Sequence, residues 1–364
     1  MTHLFVPSRS LAMCSIAVAL SSSVASPLYA QDRQVVGGRE VAIYNVAGHV
    51  RVEAGSGSEV TVEMTRGGRD GAKLKTAIGE IRGRNAYRVL YPTDDDIVYG
   101  GDRTDRAGSS TDLRIDRDGT WDGGDRNGNR GDRVRVTTRG DGTDAWADLV
   151  VRVPAGTTVS VYLGLGELTA TRVDADLRLD VSAARVVATG TRGRLDIDAG
   201  SGGVEVREVR GSELKIDNGS GGVTMTDVHS DTCTIDTGSG SVGGTGVQCG
   251  VLRVDVGSGT VRFDEIRSTD VAVDAGSGGV HLGFVSSPKS LSVESGSGSV
   301  AVALPAGVDA TVDIETGSGG ISSDFPVRTN SVQRDRLRGT IGDGSGRIRI
   351  ETGSGSVRLR RNPN

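Results

Sequence analysis

Between Gly164 and Leu359 the chain repeats one short phrase, and this period constrains the fold more than any other feature. The phrase is apolar-x-apolar-(Asp/Glu)-x-Gly-Ser-Gly-x-(Val/Ile). It runs from Leu195 to Val204, Leu214 to Val223, Cys233 to Val242, Leu252 to Val261 and Val271 to Val280. Further copies span Leu291 to Val300, Val312 to Ile321 and Ile348 to Val357. The turn glycines Gly200, Gly219, Gly238, Gly257 and Gly276 fall 19 residues apart, and Gly296 and Gly317 follow at 20 and 21. Weaker copies at Ser182 and Gly164 extend the series backwards at a spacing of 18. Counted from the turn glycine, apolar residues return at the fourth, sixth and ninth positions, as in Val204, Val206 and Val209. Such short-range alternation of Val, Ile and Leu is the period-2 signature of strands with one buried face. Two strands and two turns fill each period, the second turn lying near the small residues Gly193, Gly211, Ser230, Cys249, Ser268 and Ser287. Glycine in the first turn lets neighbouring coils approach closely. The expected fold is therefore all-β, a parallel β-solenoid of about ten coils stacked roughly 4.8 Å apart.

The ends and one internal stretch fall outside the repeat. Arg9, the apolar run Leu11 to Leu20 and the small residues up to Ala30 read as a secretory signal over residues 1–30. Cys14 follows Met13 at the wrong end of that run for a lipoprotein site. Residues 31–92 read as an N-terminal β cap with a first coil, in which Val50 and Val52 lead into Gly55-Ser56-Gly57. Residues 93–147 are rich in Asp, Arg, Gly and Asn, and are expected as a flexible loop or a projecting hairpin. Residues 148–361 form the solenoid proper. A net charge of −5 over 364 residues, with no basic patch, argues against nucleic acid. No later segment is long and apolar enough to span a membrane.

Sites of chemistry are few. Asp236-Thr237-Gly238 matches the aspartic-protease phrase, but in register it is one copy of the repeated turn. The glycine-rich turns precede strands, whereas phosphate loops need a helix behind them. The histidines His3, His49, His229 and His281 are scattered without metal spacing. The repeat places Asp180, Asp198, Asp217, Asp236, Asp255, Asp274, Glu294, Glu315 and Glu351 in one row, where neighbours repel by roughly 1 kcal/mol in water. Two readings are open: each carboxylate caps the amides of its own turn, or the row holds calcium. A second calcium candidate is the set Asp116, Asp118, Asp125, Asn127, Asn129 and Asp132, whose alternating oxygens resemble half of a calcium loop but lack its final glutamate. Apart from calcium, no cofactor is expected. Cys233 and Cys249 stand out of register between coils, so two buried thiols are expected rather than a disulfide.

The early Gly-Ser-Gly strand pair, the phrase Leu149 to Gly156, the coils at 18 to 21 residues and the closing Ile348 to Val357 together resemble bacterial adhesin-like domains of unknown function, related to auto-transporter head domains. The resemblance spans roughly residues 35 to 361 apart from 93–147, and that family names no catalytic residues. It implies an exported, non-enzymatic β-solenoid with a protein or polysaccharide surface ligand. Two alternatives are a polysaccharide-active β-helix enzyme and a calcium-dependent binding module. The first calls for aromatic residues beside clustered acids, yet Trp121 and Trp146 lie in or beside the insertion rather than on the repeat.

Overall fold

The computed structural model describes residues 32–100, 108–121 and 131–362. The proposed signal, the Cys14 site and three of the calcium candidates (Asp125, Asn127, Asn129) lie outside these residues. Strands β1 (Asp32–Val36), β2 (Glu40–Ala54), β3 (Val60–Gly67), β4 (Lys75–Ile81) and β5 (Arg84–Leu90) form the N-terminal part. Stacked on them are β10 (Trp146–Val153), β11 (Thr158–Thr171), β12 (Asp176–Thr189), β13 (Leu195–Ser201), β14 (Val204–Arg207), β15 (Arg210–Ser220), β16 (Val223–Ser239) and β17 (Val242–Ser258). The stack continues through β18 (Val261–Ile266), β19 (Asp270–Ser277), β20 (Val280–Phe284), β21 (Ser290–Ser297) and β22 (Val300–Leu304). These pairings are parallel and in repeat register, so the expected parallel β-solenoid is what the chain forms.

The register explains the repeat. Leu177, Leu195, Leu214, Cys233, Leu252, Val271 and Leu291 stack into one inward column. Leu179, Ile197, Ile216, Ile235, Val254, Val273 and Val293 stack into the next, and every member of both is buried. Each such side chain contributes about 1.5–3 kcal/mol relative to exposure. Where Gly244 leaves the sixth position of one coil empty, Met225 below and Phe263 above occupy the same column.

Two kinds of corner close each coil. The Gly-Ser-Gly corner turns on its second glycine: Gly221 has φ 122°, and a Cβ there would lie 2.2 Å from the Gly202 carbonyl oxygen of the coil beneath. The other corner turns on a left-handed residue eight positions after the turn glycine. Arg172, Gly190, Glu208, Asp227, Gly246 and Glu265 all have φ between 53° and 69°. This corner lies three residues ahead of the small residues that mark it in sequence. Only two of its six members are glycine, so composition hides it.

A further bend joins the two cysteines. Cys249 pairs in register with Ser230, three residues before Cys233, and the chain turns between those two positions. Both side chains point inward there, with Cα atoms 6.0 Å apart, and they form a disulfide. The expectation of two separate thiols is corrected: linear register places them apart, but the bend brings them together.

The stack is closed differently at each end. At the N-terminal end β5 pairs with β2 and β4 pairs antiparallel with β5, while β10 lies against β2 and β3. At the other end lie β23 (Ala310–Ser318), β24 (Ile321–Ser323), β25 (Arg328–Val332), β26 (Arg336–Ile341), β27 (Gly346–Ser354) and β28 (Val357–Arg361). The last coil of the chain is not the last in space. β27 pairs with β21 on one side and β23 on the other, and β28 lies between β22 and β24. Antiparallel β26 covers the outer edge of β23, and β25 covers β26.

The described part of the insertion carries a second, four-stranded sheet of β6 (Ile97–Val98), β7 (Ser110–Ile115), β8 (Asp132–Thr137) and β9 (Thr143–Asp144). Its Leu113, Ile115, Val134 and Val136 are buried. Leu113 Cδ1 lies 2.6 Å from where a Cβ of Gly164 would stand, which seats the hairpin against β11.

Candidate functional site

The outer face of the strands before the Gly-Ser-Gly corner carries one continuous column. It begins with Tyr44 and Tyr162, then runs through Asp180, Asp198, Asp217, Asp236, Asp255, Asp274, Glu294, Glu351 and Glu315. The row expected from the repeat is thus real, except that Glu351 precedes Glu315. Over the first two rungs the insertion covers the column. Tyr44 and Tyr162 stack with centroids 4.4 Å apart, and Trp121 meets Tyr44 edge-on at 5.6 Å. The Arg84 guanidinium donates to Tyr162 Oη at 2.8 Å and to Ser160 Oγ at 3.3 Å. From Asp198 onward the column opens towards solvent.

The capping reading of this row does not hold. The turn amides are already spent on the neighbouring coil: Gly202 N–H donates to Ser220 O, Gly221 N–H to Ser239 O and Gly240 N–H to Ser258 O. The carboxylates project the other way. The residue after each carboxylate points inward, and three of these residues serve the corner instead. Asn218 Nδ2 donates to Gly221 O at 2.8 Å, Thr316 Oγ1 to Gly355 O at 2.8 Å and Thr352 Oγ1 to Gly298 O at 3.1 Å. Thr237 Oγ1 and Ser295 Oγ in the same inward column are buried without a hydrogen-bond partner.

Partial burial and like charges raise the pKa of three of these carboxylates. Burial, then the neighbouring Asp198, pushes Asp180 up to about 6, against the opposing pull of Arg178. Asp217 is raised by burial and then by Asp198 and Asp236, with Lys215 opposing. Asp255 is raised by burial and by Asp236 and Asp274. Near the far end Asp274, Glu294, Glu315 and Glu351 line an open groove of about 460 Å³. Asp236 of the protease-like phrase is one member of this column, between Asp217 and Asp255.

The calcium candidates of the insertion divide. Asp118 Oδ1 accepts from Thr120 N–H at 3.0 Å and Thr120 Oγ1 at 2.7 Å, closing its own turn. Asp132 pairs with Ile115 at the loop end of the β7–β8 hairpin and accepts from Thr93 Oγ1. Asp116 faces Arg82 at 4.0 Å. Among the described residues no group of three or more His, Cys, Asp or Glu side chains is gathered as a metal site. No helix among them is long and apolar enough to cross a membrane.

A second outer surface, at the left-handed corner, mixes both signs. Arg172, Arg192 and Arg210 line a groove of about 430 Å³ with Asp174, Glu208 and Asp227. Arg210 pairs with Asp227 at 3.0 Å.

Comparison with known proteins adds one decisive observation. The family model described as Toastrack DUF4097 matches residues 129–360, well over half of the chain. The chain belongs to the Toastrack DUF4097 family. The match takes in β8 and β9 of the insertion's sheet and the stacked coils from β10 onward, with the inserted last coil. No curated protein matches. Among solved structures, one described as a "putative cell adhesion protein" from Clostridium sporogenes covers 91% of this chain and 100% of its own, at 8% identity and a TM-score of 0.20. At that score nothing about this chain's fold rests on it.

Proposed function

We propose that this Toastrack protein is an exported, non-enzymatic binding scaffold of the adhesin type, which holds a protein or polysaccharide of the cell envelope along its outer faces. The observation that carries this reading is the continuous in-register rod. The same outward groups recur at roughly 4.8 Å over many rungs, a surface suited to an extended or repetitive ligand. The disulfide between Cys233 and Cys249 suits an oxidising compartment, which agrees with the secretory reading of residues 1–30. Tyr44, Tyr162 and Trp121 are buried together at the covered end of the column rather than displayed beside the open carboxylates, so they do not supply the aromatic platform that a sugar-cleaving site calls for.

The test is retention of fractionated envelope polysaccharides and proteins on the immobilised full chain. Saturable retention of one fraction is expected, and retention of none overturns the reading. Thermal unfolding with millimolar calcium and with chelator settles the calcium-dependent variant. A calcium-dependent rise in Tm would assign the insertion loop or the carboxylate column to the ion, and coincident curves would remove it.

A further inference from the structure

The coil order at the C-terminal end carries an inference about self-association. From β11 to β22, successive coils of the chain are successive rungs. Here β27/β28 occupies a slot between β21/β22 and β23/β24, although β23/β24 follows β21/β22 in the chain. Both walls of the slot carry the repeat phrase. Leu291 and Val293 meet Ile348 and Ile350 on one side, and Val312 and Ile314 meet them on the other.

The charges fit as well. Arg349 lies between Ser292 and Asp313, and Arg358 between Ala301 and Ser322, so the inserted coil brings cations to walls that have none at these positions. Arg349 also pairs with Glu351 at 2.6 Å, beside Glu294 and Glu315.

The link from β26 into this coil is the short loop 342–345. Gly342 (φ 62°) and Gly344 (φ 82°) turn it tightly, and Asp309 Oδ1 accepts from Asp343 N–H at 3.2 Å. A short, tightly turned hinge before an element whose ladder partners and apolar neighbours all lie in other coils is the arrangement that permits exchange of that element between copies.

We infer that a second copy of this chain is a partner: residues 346–361 of one molecule fill the slot of another, and the exchange is reciprocal. Every rung contact of the closed monomer is then remade between chains, and only the hinge changes. For an adhesin-type scaffold this doubles the binding surface without a new interface.

The test uses full-length chains of two tag sizes, one carrying Ser292→Cys and the other Arg349→Cys, a register pair on the outer face. They are unfolded, mixed, refolded and run on non-reducing gels. A disulfide-linked dimer of mixed mass is expected. Its ratio to monomer should rise roughly tenfold for a tenfold rise in chain concentration at the dilute end, by mass action. A single chain carrying both cysteines provides the second measurement. It should close on itself at high dilution and, once closed, should no longer dimerise. Absence of the mixed dimer at every concentration, while the double variant closes internally, overturns the inference. So does a dimer that forms equally well from the internally closed chain.

Discussion

At the scale of single residues, the inward corner column separates hydroxyls that hold the fold from hydroxyls that only fit it. Thr352 Oγ1 bonds two turn carbonyl oxygens, at Gly298 and Ser354, whereas Thr237 Oγ1 is buried with none. Thr352→Val is therefore expected to cost about 1 kcal/mol, and Thr237→Val to gain roughly 0.5–1 kcal/mol. Val256 already fills the position above Thr237. Denaturant midpoints of the two variants check this, and equal shifts of the same sign would refute the distinction. Asp180 gives a pH dependence. Its carboxyl titrates near 6 when folded, against about 3.9 in an unfolded chain. The folded state thus holds an extra proton between these values. The contribution to stability is complete below about pH 4 and is lost as pH rises through about 6. Asp180→Asn should accordingly be more stable than the parent at pH 7, by on the order of 1–2 kcal/mol after allowance for solvent screening, and equal to it at pH 4. Melting curves at the two pH values decide it.

At the scale of elements, the strands, their faces and their stacking were legible because each apolar position is repeated many times over. Val204, Val223, Val242, Val261 and Val280 are all buried, as the period requires. What the sequence hid was geometry that no side-chain type marks. The left-handed corner is carried by Arg172, Glu208, Asp227 and Glu265 as well as by glycine. The disulfide depends on a further bend between Ser230 and Cys233, where the ladder skips Asp231, since Cys233 and Cys249 are three positions apart in register. The carboxylate row was legible as a row, but its role was misread because a repeat fixes position and not which way a turn amide donates. The insertion's small sheet rests on only a few apolar residues, among them Leu113, Val134 and Trp121. The disulfide closes a loop across a sequence separation of 16 residues, worth about 3 kcal/mol on the chain-entropy account. Replacing both cysteines by alanine should lower stability by that order, and reductant should bring the parent's unfolding midpoint down to the variant's. A parent indifferent to reductant would contradict the pairing.

At the scale of the whole molecule, the stacked in-register rungs display the same outward groups again and again, with one end of the carboxylate column roofed by the insertion and the other end closed by an inserted coil and a hairpin. Sequence showed the repeat but not the order of its last two coils, because β23 and β27 carry nearly the same phrase and compete for the same neighbour. The central claim is that this surface binds without altering what it binds. The most direct measurement is to capture envelope polysaccharide on the full-length protein, recover it after prolonged incubation and compare its chain length with untreated material. The account predicts saturable capture and unchanged length. Progressive shortening would contradict it and make the protein a polysaccharide-cleaving enzyme.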